Sequence, residues 1–461
     1  MTTKKLSLFI LLIFFSEGFS QTLSLKEAVT TGIANYGTIR AKSKYADAAK
    51  ETVKEVRREY LPNVNLSAQQ DYGTINGQNG PLYGFGGLGV ASSGIPLEKQ
   101  NWNAAFGALY LVNVNWDFFS FGKMKQKINL SKADADRYQK DLDQEIFQHK
   151  IKISAAYLNL LASQRLLISQ KKNLDRATVF KNTATVRVKN GLLAGVDSTL
   201  ASAEVSRAKI TLNQVKDLVK EQNNKLVALM GIAIQDFVLD STFVSQIPKS
   251  MLFPVTSNGN LNPVLQYYKS KLDFSSQQLR LLKKEYYPTF SLFGVYQARA
   301  SGFNQDYAAN QNSFTPNYLD GIDPSRQNYL FGIGATWNLA TISRVNKKVS
   351  AQKLISEGLQ EEYNEMDQQL KTQSNAADAK MEYAMENYAE APKQVQAAQQ
   401  AYLQKTSLYK NGLTNLLDVT QTLYTLNRAE TDRDIIYTNV WQSLLMKAAA
   451  TGDFGLFINE F

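Results

Sequence analysis

Few side chains in this chain of 461 residues could carry catalysis. It contains no cysteine and a single histidine, His149. The lack of cysteine excludes disulfides, thiolate nucleophiles and Cys-ligated metal centres, and one imidazole cannot serve a site that needs two. His149 precedes Lys150 in a helical stretch and has no acid–base partner at an identifiable spacing. We therefore predict a packing or surface role for His149.

One stretch matches a nucleotide-binding pattern. The residues Gly84-Phe85-Gly86-Gly87-Leu88-Gly89 satisfy G-x-G-x-x-G. That fingerprint binds a dinucleotide only between a buried strand and a helix, with an acid about 20 residues further on. Here it lies in a loop that ends at Pro96, and no acid lies near residue 105. The acidic residues form no recognisable catalytic pair, so we predict no cofactor, no metal site and no enzymatic activity.

Two acids, Asp197 and Asp418, stand out by their position. Each follows a Gly-Leu pair, Gly191-Leu192 in one case and Gly412-Leu413 in the other. An Asp just after a turn can simply cap the following helix. Alternatively, symmetry-related copies of Asp418 could face one axis of an assembly. The residues alone leave both interpretations open.

These acids occupy equivalent positions of an internal repeat. At an offset of 221 residues, Trp116-Asp117-Phe118 returns as Trp337-Asn338-Leu339, and Lys189-Asn190-Gly191-Leu192 returns as Lys410-Asn411-Gly412-Leu413. Upstream, Glu59-Tyr60-Leu61-Pro62 returns as Glu285-Tyr286-Tyr287-Pro288 at an offset of 226. The constant offset over long segments indicates that the chain is duplicated.

Each half is predicted to contain two strands and then a long helical hairpin. Alternating residues predict strands near 63–72, 108–119, 289–299 and 329–339. Runs of about ten such residues are the length of a tilted strand that crosses a membrane. A soluble sheet with one buried face is the alternative. Long loops rich in Gly, Asn and Tyr at 73–100 and 300–326 favour the membrane interpretation.

The stretches 123–229 and 344–450 are predicted to be helical hairpins. They contain almost no Pro and little Gly, and apolar residues recur at three-to-four spacing. Each is interrupted once by the turn signal Asn-Gly, at 190–191 and 411–412. One arm would be on the order of 100 Å long. Pro392 lies inside the third long helix and is expected to kink or break it.

The N-terminus is predicted to be a signal peptide. Lys4 and Lys5 precede an apolar run from Leu6 to Phe15, and cleavage is expected before Gln21. No later window reaches about 18 consecutive apolar residues, so no transmembrane helix is predicted. The formal charge is +10. Because basic and acidic side chains are interspersed, nucleic-acid binding is not predicted.

Strands that cross a membrane would require assembly. Four strands cannot close a barrel, and an open sheet edge is not tolerated in lipid. Two chains would give a barrel of eight strands, and side chains would fill the interior of such a barrel. Three chains would give twelve, the smallest multiple of four expected to leave a lumen. A trimer with a pore is therefore favoured.

The signal peptide, the duplicated strand and hairpin order, and the pattern Gly-Leu-x-x-x-x-Asp at both hairpin turns resemble the TolC-like outer-membrane efflux family. The resemblance covers essentially the whole mature chain. It implies an α+β membrane protein that forms a homotrimer. Each chain would give four strands to one twelve-stranded outer-membrane β-barrel, and this barrel would continue into a long α-helical periplasmic coiled-coil barrel. The corresponding segments are 1–20 (signal peptide), 21–232 (first repeat), 233–260 (connecting belt) and 261–461 (second repeat).

The resemblance also implies a function and a location. The chain would be the outer-membrane exit duct of a tripartite efflux or type I secretion system, reaching into the periplasm. Its partners would be a periplasmic adaptor, an inner-membrane pump and outer-membrane lipid. Trp116 and Trp337 are expected in the membrane girdle. The competing interpretation is a trimeric outer-membrane adhesin or structural coiled-coil fibre, which the presence of strands in both halves disfavours.

Gate and adaptor residues follow from the same resemblance. In the family, the acid that matches Asp418 belongs to the entrance constriction. The acid that matches Asp197 forms a tether with the tyrosine that matches Tyr409. This sequence departs at Thr414, where members often have a tethering arginine, and at Gln421, where a second constriction acid can occur. The turns, with Gly191, Leu192, Gly412 and Leu413, are expected to contact the adaptor.

Overall fold

The structure is a computed structural model that describes residues 22–77, 95–192, 194–241, 243–252 and 262–461. The predicted signal peptide, the glycine-rich motif at 84–89 and part of the predicted belt lie outside the described residues. The helices are α1 (Leu25–Asn35), α2 (Gly37–Arg58), α3 (Lys123–Lys189), α4 (Gly195–Met230), α5 (Lys249–Leu252), α6 (Pro263–Leu282), α7 (Tyr318–Ile322), α8 (Thr341–Lys410), α9 (Leu416–Thr451) and α10 (Gly455–Ile458). The strands are β1 (Asn63–Gly73), β2 (Ala105–Phe119), β3 (Thr289–Ser301) and β4 (Arg326–Thr336).

All four predicted strands are confirmed, with small shifts at their ends. β2 begins earlier than predicted because Ala105 pairs with Gly73. β4 ends at Thr336, before Trp337, although the prediction extended to residue 339. The last pair is Thr289 with Thr336. Because Pro288 precedes Thr289 and has no N–H to donate, the ladder cannot continue there.

The predicted long helices are also present. α3 has 67 residues and α8 has 70. The prediction for Pro392 is a kink or a break; α8 continues through it, so the break is wrong. Ala391, Val395 and Ala398 are buried on the helix around this proline, and we attribute the continuity to this packing, which outweighs one lost backbone hydrogen bond. Within the described ranges, no helix has both the length and the apolar character to cross a bilayer.

The chain forms two compact units, and the first comprises residues 1–47, 136–271 and 359–461. Its main core contains buried side chains from α1, α3, α4, α9 and the chain end. Tyr157 is fully buried and its hydroxyl donates to the carbonyl of Leu23, 2.7 Å away. Trp441 and Phe457 fill the same core. Leu23, α1 and the C-terminal segment are thereby fixed against the middle of α3 and the C-terminal parts of α4 and α9.

The second unit, residues 48–135 and 272–358, contains the sheet. Its order is β1-β2-β3-β4, and every pair is antiparallel. The central pair, β2 with β3, joins the two halves of the repeat. Because side chains alternate across a strand, the register divides the sheet into two faces.

The two faces differ in polarity. The apolar face includes Val64, Leu66, Tyr72, Phe106, Tyr110, Val112, Val114, Leu292, Tyr296, Tyr329, Phe331 and Ile333. The polar face includes Asn63, Asn65, Ser67, Gln69, Asp71, Asn113, Asn115, Asp117, Ser291, Gln297, Arg299 and Asn328. Leu66, Tyr329 and Phe331 on the apolar face are each more than 70% exposed in the single chain. A sheet of this kind suits lipid on one side and water on the other.

Candidate functional site: the two hairpin ends

The two hairpin ends, residues 187–197 and 405–421, begin with the same turn. Gly191 has φ +71° and Gly412 has φ +76°, both in the left-handed region. The N–H of Leu192 donates to the carbonyl of Arg187, 2.9 Å away, and the N–H of Leu413 donates to that of Leu408, also 2.9 Å away. This is the hydrogen bond that ends a helix at a left-handed glycine.

The turns leave the leucine side chains uncovered in the single chain. Leu192 is 64% exposed and Leu413 is 72% exposed. A Cβ added at Gly191 would meet no atom within 4 Å, and one at Gly412 would meet only Arg187 Nη2, at 3.5 Å. The requirement for glycine therefore comes from the positive φ, not from crowding within the chain.

Asp418 accepts two side-chain hydrogen bonds within its own hairpin. Lys405 Nζ and Thr414 Oγ1 each lie 2.7 Å from Asp418 Oδ2. These hydrogen bonds, the one from Lys405 first, hold the pKa of Asp418 below its ordinary value. The helix cap is a different residue, because Asn415 Oδ1 accepts from the N–H of Asp418 at 2.9 Å. The interpretation of Asp418 as the cap of α9 is therefore wrong.

Asp197 has no comparable partners. It lies in the first turn of α4, whose cap residue Ala194 makes no side-chain hydrogen bond. The repeat explains the difference, since Ala184, Leu193 and Ala194 occupy the positions of Lys405, Thr414 and Asn415. Within the described residues, no side chain donates a hydrogen bond to the Asp197 carboxylate. The repeat is thus symmetric in backbone and asymmetric in charge.

Tyr409 lies between the two hairpins and is 1% exposed. Its ring centroid is 5.4 Å from that of Phe180, and Arg187 Cζ lies 5.2 Å from it. The hydroxyl has no hydrogen-bond partner among the described residues. The expected tether between Asp197 and Tyr409 is therefore not formed as a hydrogen bond in this chain. Burial, and then the nearby charge of Asp197, raise the pKa of Tyr409.

Arg187 provides the connection that the sequence analysis did not identify. Its guanidinium Nη1 donates to the carbonyl of Tyr409, so one side chain joins the ends of α3 and α8. The equivalent position in the second half is Leu408. One sequence feature could have pointed to Arg187: it is an arginine that only one copy of the repeat contains, and it lies three residues before Asn190-Gly191.

Apolar packing joins the hairpin ends as well. Phe180, Ala184 and Ala201 of the first hairpin form one buried cluster with Tyr409, Leu416 and Val419 of the second. Gln421 is exposed and lies three residues beyond Asp418, so the two side chains share one side of α9. The structure thus brings Asp418, Thr414, Tyr409 and Gln421 to the second hairpin end, and Asp197 to the first.

The two tryptophans occupy equivalent places in the second unit. Trp116 Nε1 donates to the carbonyl of Tyr60 at 2.7 Å, and Trp337 Nε1 donates to that of Tyr286 at 3.1 Å. Both tyrosines belong to the repeated Glu-Tyr-x-Pro segment. The indoles thus fix the chain where it enters β1 and β3.

His149 has the packing role that was predicted. It is fully buried and stacks on Tyr36 with ring centroids 3.8 Å apart. Its Nε2 lies 2.9 Å from the carbonyl oxygen of Leu229. Burial lowers its pKa, so the ring is neutral near pH 7.

Several solved structures with a similar fold are outer-membrane proteins, and some of them are described as channels. The chain matches the outer membrane protein VceC from Vibrio cholerae with a TM-score of 0.72 and 15% identity, covering 93% of this chain and 96% of VceC. It matches the Campylobacter jejuni CmeC outer membrane channel with a TM-score of 0.72 and 15% identity, covering 93% and 85%. The open state of the Neisseria gonorrhoeae MtrE outer membrane channel matches with a TM-score of 0.70 and 14% identity, covering 93% and 88%.

The family match covers most of the chain. No curated protein matches it in sequence. The family model for outer membrane efflux proteins matches residues 32–232 and 260–433, which include all four strands, the first hairpin and most of the second. The predicted fold class, outer-membrane location and efflux function are confirmed, and the adhesin or fibre alternative is not supported. With its duplicated strands and hairpins, this chain belongs to the outer membrane efflux protein family.

Proposed function

We propose that three copies of this chain form one exit duct, which receives cargo from a periplasmic adaptor and an inner-membrane pump and conducts it passively. The observation that carries the proposal is the two-faced, four-stranded sheet. Within the described residues, β1 and β4 each pair on one side only. An unpaired edge in hydrocarbon leaves backbone groups without partners, so each edge requires a neighbour. Three sheets give twelve strands, enough to enclose a lumen.

Each face then has its own surroundings. The apolar face, with Leu66, Tyr329 and Phe331, would contact lipid, and the polar face would line the water-filled duct. Trp116 and Trp337 would lie in the inner aromatic girdle, because indoles favour the membrane–water boundary.

The hairpin ends are proposed as the periplasmic gate. Arg187 and the buried cluster around Tyr409 would hold the two hairpins of a chain together. Asp418 would contribute to the constriction as an ion pair with Lys405, flanked by Thr414 and Gln421. Asp197, which has no donor in its own hairpin, is available to a neighbouring chain.

The exposed turns are proposed as the adaptor contact. Leu192 and Leu413 present apolar side chains at left-handed turns, where the adjacent glycines leave the backbone accessible. Leu413→Asn should reduce co-purification of the adaptor while the trimer persists. Leu403→Asn is the matched control, since Leu403 is also exposed but lies on α8, ten residues before Leu413. Equal loss in both variants would contradict a contact specific to the turn.

The assembly is tested by light scattering in mild detergent together with conductance in planar bilayers. We expect a mass of three chains and discrete channel openings. A monomer or dimer, or a trimer without conductance, would contradict the proposal.

A further inference from the structure

The connection between β3 and β4 folds back onto the apolar face of the sheet. Its short helix α7 packs against β2 and β3. Tyr318 Oη donates to Gln70 Oε1 at 2.7 Å, and Tyr110 Oη donates to the carbonyl of Ile322 at 3.2 Å. The register places Gln70 and Tyr110 on the apolar face. α7 therefore lies over the apolar face of the sheet and not over the polar face.

The strands are shaped to receive this helix. Ala108, Ala298 and Ala300 also belong to the apolar face, and each is less than 9% exposed although other residues of that face are largely uncovered. Their small side chains leave room for α7. Gly321 completes the fit, because a Cβ at this position would lie 2.6 Å from Phe106 Cβ.

The covered end of the sheet carries an aromatic cluster. The ring centroids of Tyr72 and Phe106 are 4.7 Å apart, and those of Phe106 and Tyr318 are 5.1 Å apart in an edge-to-face arrangement. Phe106 and Trp116 are separated by ten residues of β2. At ~3.4 Å per residue and a tilt of ~40°, this corresponds to roughly 25 Å, the height of the apolar band of an outer-membrane barrel. With Trp116 at the inner boundary, as proposed above, α7 would lie at the outer one.

The outer surface of α7 is apolar in part. Leu319 is 69% exposed and Tyr318 is 44% exposed. Asp320 and Asp323 are exposed on the same short segment, and such carboxylates suit the headgroup level, not the hydrocarbon. This surface is continuous with the apolar face, which in an outer-membrane protein contacts lipid.

We propose that α7 is a lipid-contacting collar, which binds the outer leaflet at the boundary between headgroups and hydrocarbon through Leu319 and Tyr318. The collar would also keep this connection against the barrel wall, away from the channel mouth. The proposal rests on the sheet lying in the membrane, as the proposed function requires.

The natural absence of cysteine permits a direct test by spin labelling in the full trimer. Labels would be placed singly at Leu319→Cys, at Tyr329→Cys as a lipid reference on the apolar face, and at Asn312→Cys as an exposed loop reference. Accessibility to oxygen reports lipid, and accessibility to a water-soluble nickel chelate reports water. We expect the label at Leu319 to have an oxygen-to-nickel ratio several-fold above that at Asn312 and close to that at Tyr329.

Other outcomes overturn the collar. A nickel-accessible label at Leu319 with a lipid-like label at Tyr329 would mean that α7 lies in water while the sheet remains in lipid. Water-like labels at both positions would remove the membrane placement of the sheet as well. A label at Leu319 that reaches neither reagent would mean that a second copy of the chain covers α7.

The packing of α7 has a second test. Gly321→Ala should lift the helix from Phe106 and lower the oxygen-to-nickel ratio at Leu319. Gly358→Ala, where an added Cβ meets no atom within 4 Å, should leave the ratio unchanged. An unchanged ratio in both variants would contradict the role of the close approach at Gly321.

Discussion

Lys405 Nζ lies 2.7 Å from Asp418 Oδ2, so the acid expected at the constriction is paired within its own hairpin. Three free Asp418 carboxylates near an axis would repel one another strongly. Three ion pairs repel far less, because each lysine offsets one negative charge. The cation affinity of the proposed gate is therefore set by Lys405 as much as by Asp418.

The first prediction concerns block of the channel by cobalt hexammine added from the periplasmic side. Asp418→Asn should weaken the block several-fold, because it removes the carboxylate and leaves Lys405 positive. Lys405→Gln should strengthen the block several-fold, because it exposes the carboxylate. Single-channel recording measures both effects, and Thr414→Val, which keeps the ion pair but removes one hydrogen bond to Asp418, should change the block less than either variant. If Lys405→Gln is blocked no more strongly than the parent, the pair does not govern cation binding.

The second prediction concerns the link between the hairpins. Arg187→Ala should raise the resting conductance, because it removes the donor to the carbonyl of Tyr409 and the cation over its ring. Lys189→Ala removes the same charge from an exposed position on the same helix end and should leave the conductance near that of the parent. Equal increases in both variants would point to a general effect of charge.

The third prediction concerns the turn glycines. Gly412→Ala should destabilise the second hairpin by ~1–2 kcal/mol, because φ is +76° at this position. Gly358→Ala inside α8 should instead stabilise the chain by about 0.5–1 kcal/mol, because alanine is the better helix former. Thermal unfolding in detergent measures both. A stabilising Gly412→Ala would mean that the turn adopts negative φ in solution.

The fourth prediction concerns pH. Burial lowers the pKa of His149 below its ordinary value of 6.5. Below about pH 6.5 the unfolded chain therefore binds a proton at His149 more readily than the folded chain does. The free energy of unfolding is thus unaffected by this group above about pH 6.5 and decreases as the pH falls below it. His149→Gln keeps an N–H donor for the carbonyl of Leu229 without titrating. Thermal unfolding between pH 7.5 and about pH 5 should show a smaller loss of stability in this variant.

Equal pH dependence of the parent and His149→Gln would mean that other groups determine the acid sensitivity. Lys42 lies near this region and pairs with Asp141 and Glu145. Lys42→Gln removes a charge but leaves His149 in place, so it should shift the stability without removing the part of the pH dependence that His149 contributes.

Much of the architecture could be predicted from the sequence because it depends on local patterns. Alternation over about ten residues located the four strands to within a few residues. Asn190-Gly191 and Asn411-Gly412 located both hairpin turns, since glycine readily adopts the left-handed conformation that ends a helix. The offset of 221 residues showed that the same order is repeated. These patterns involve residues that are close in the sequence, so they can be recognised without knowledge of the tertiary structure.

Only the tertiary structure decided which side chains act together. Arg187 reaches Tyr409 across 222 residues of sequence, and no spacing rule relates the two. The duplication places Asp197 and Asp418 at equivalent positions, whereas Lys405 and Thr414 hold only the second acid. The placement of α7 on the apolar face depends on small residues from two strands and on the close approach of Gly321 to Phe106. Such contacts form only when packing brings distant segments together. Sequence pattern and propensity describe each segment alone, so they do not predict these contacts.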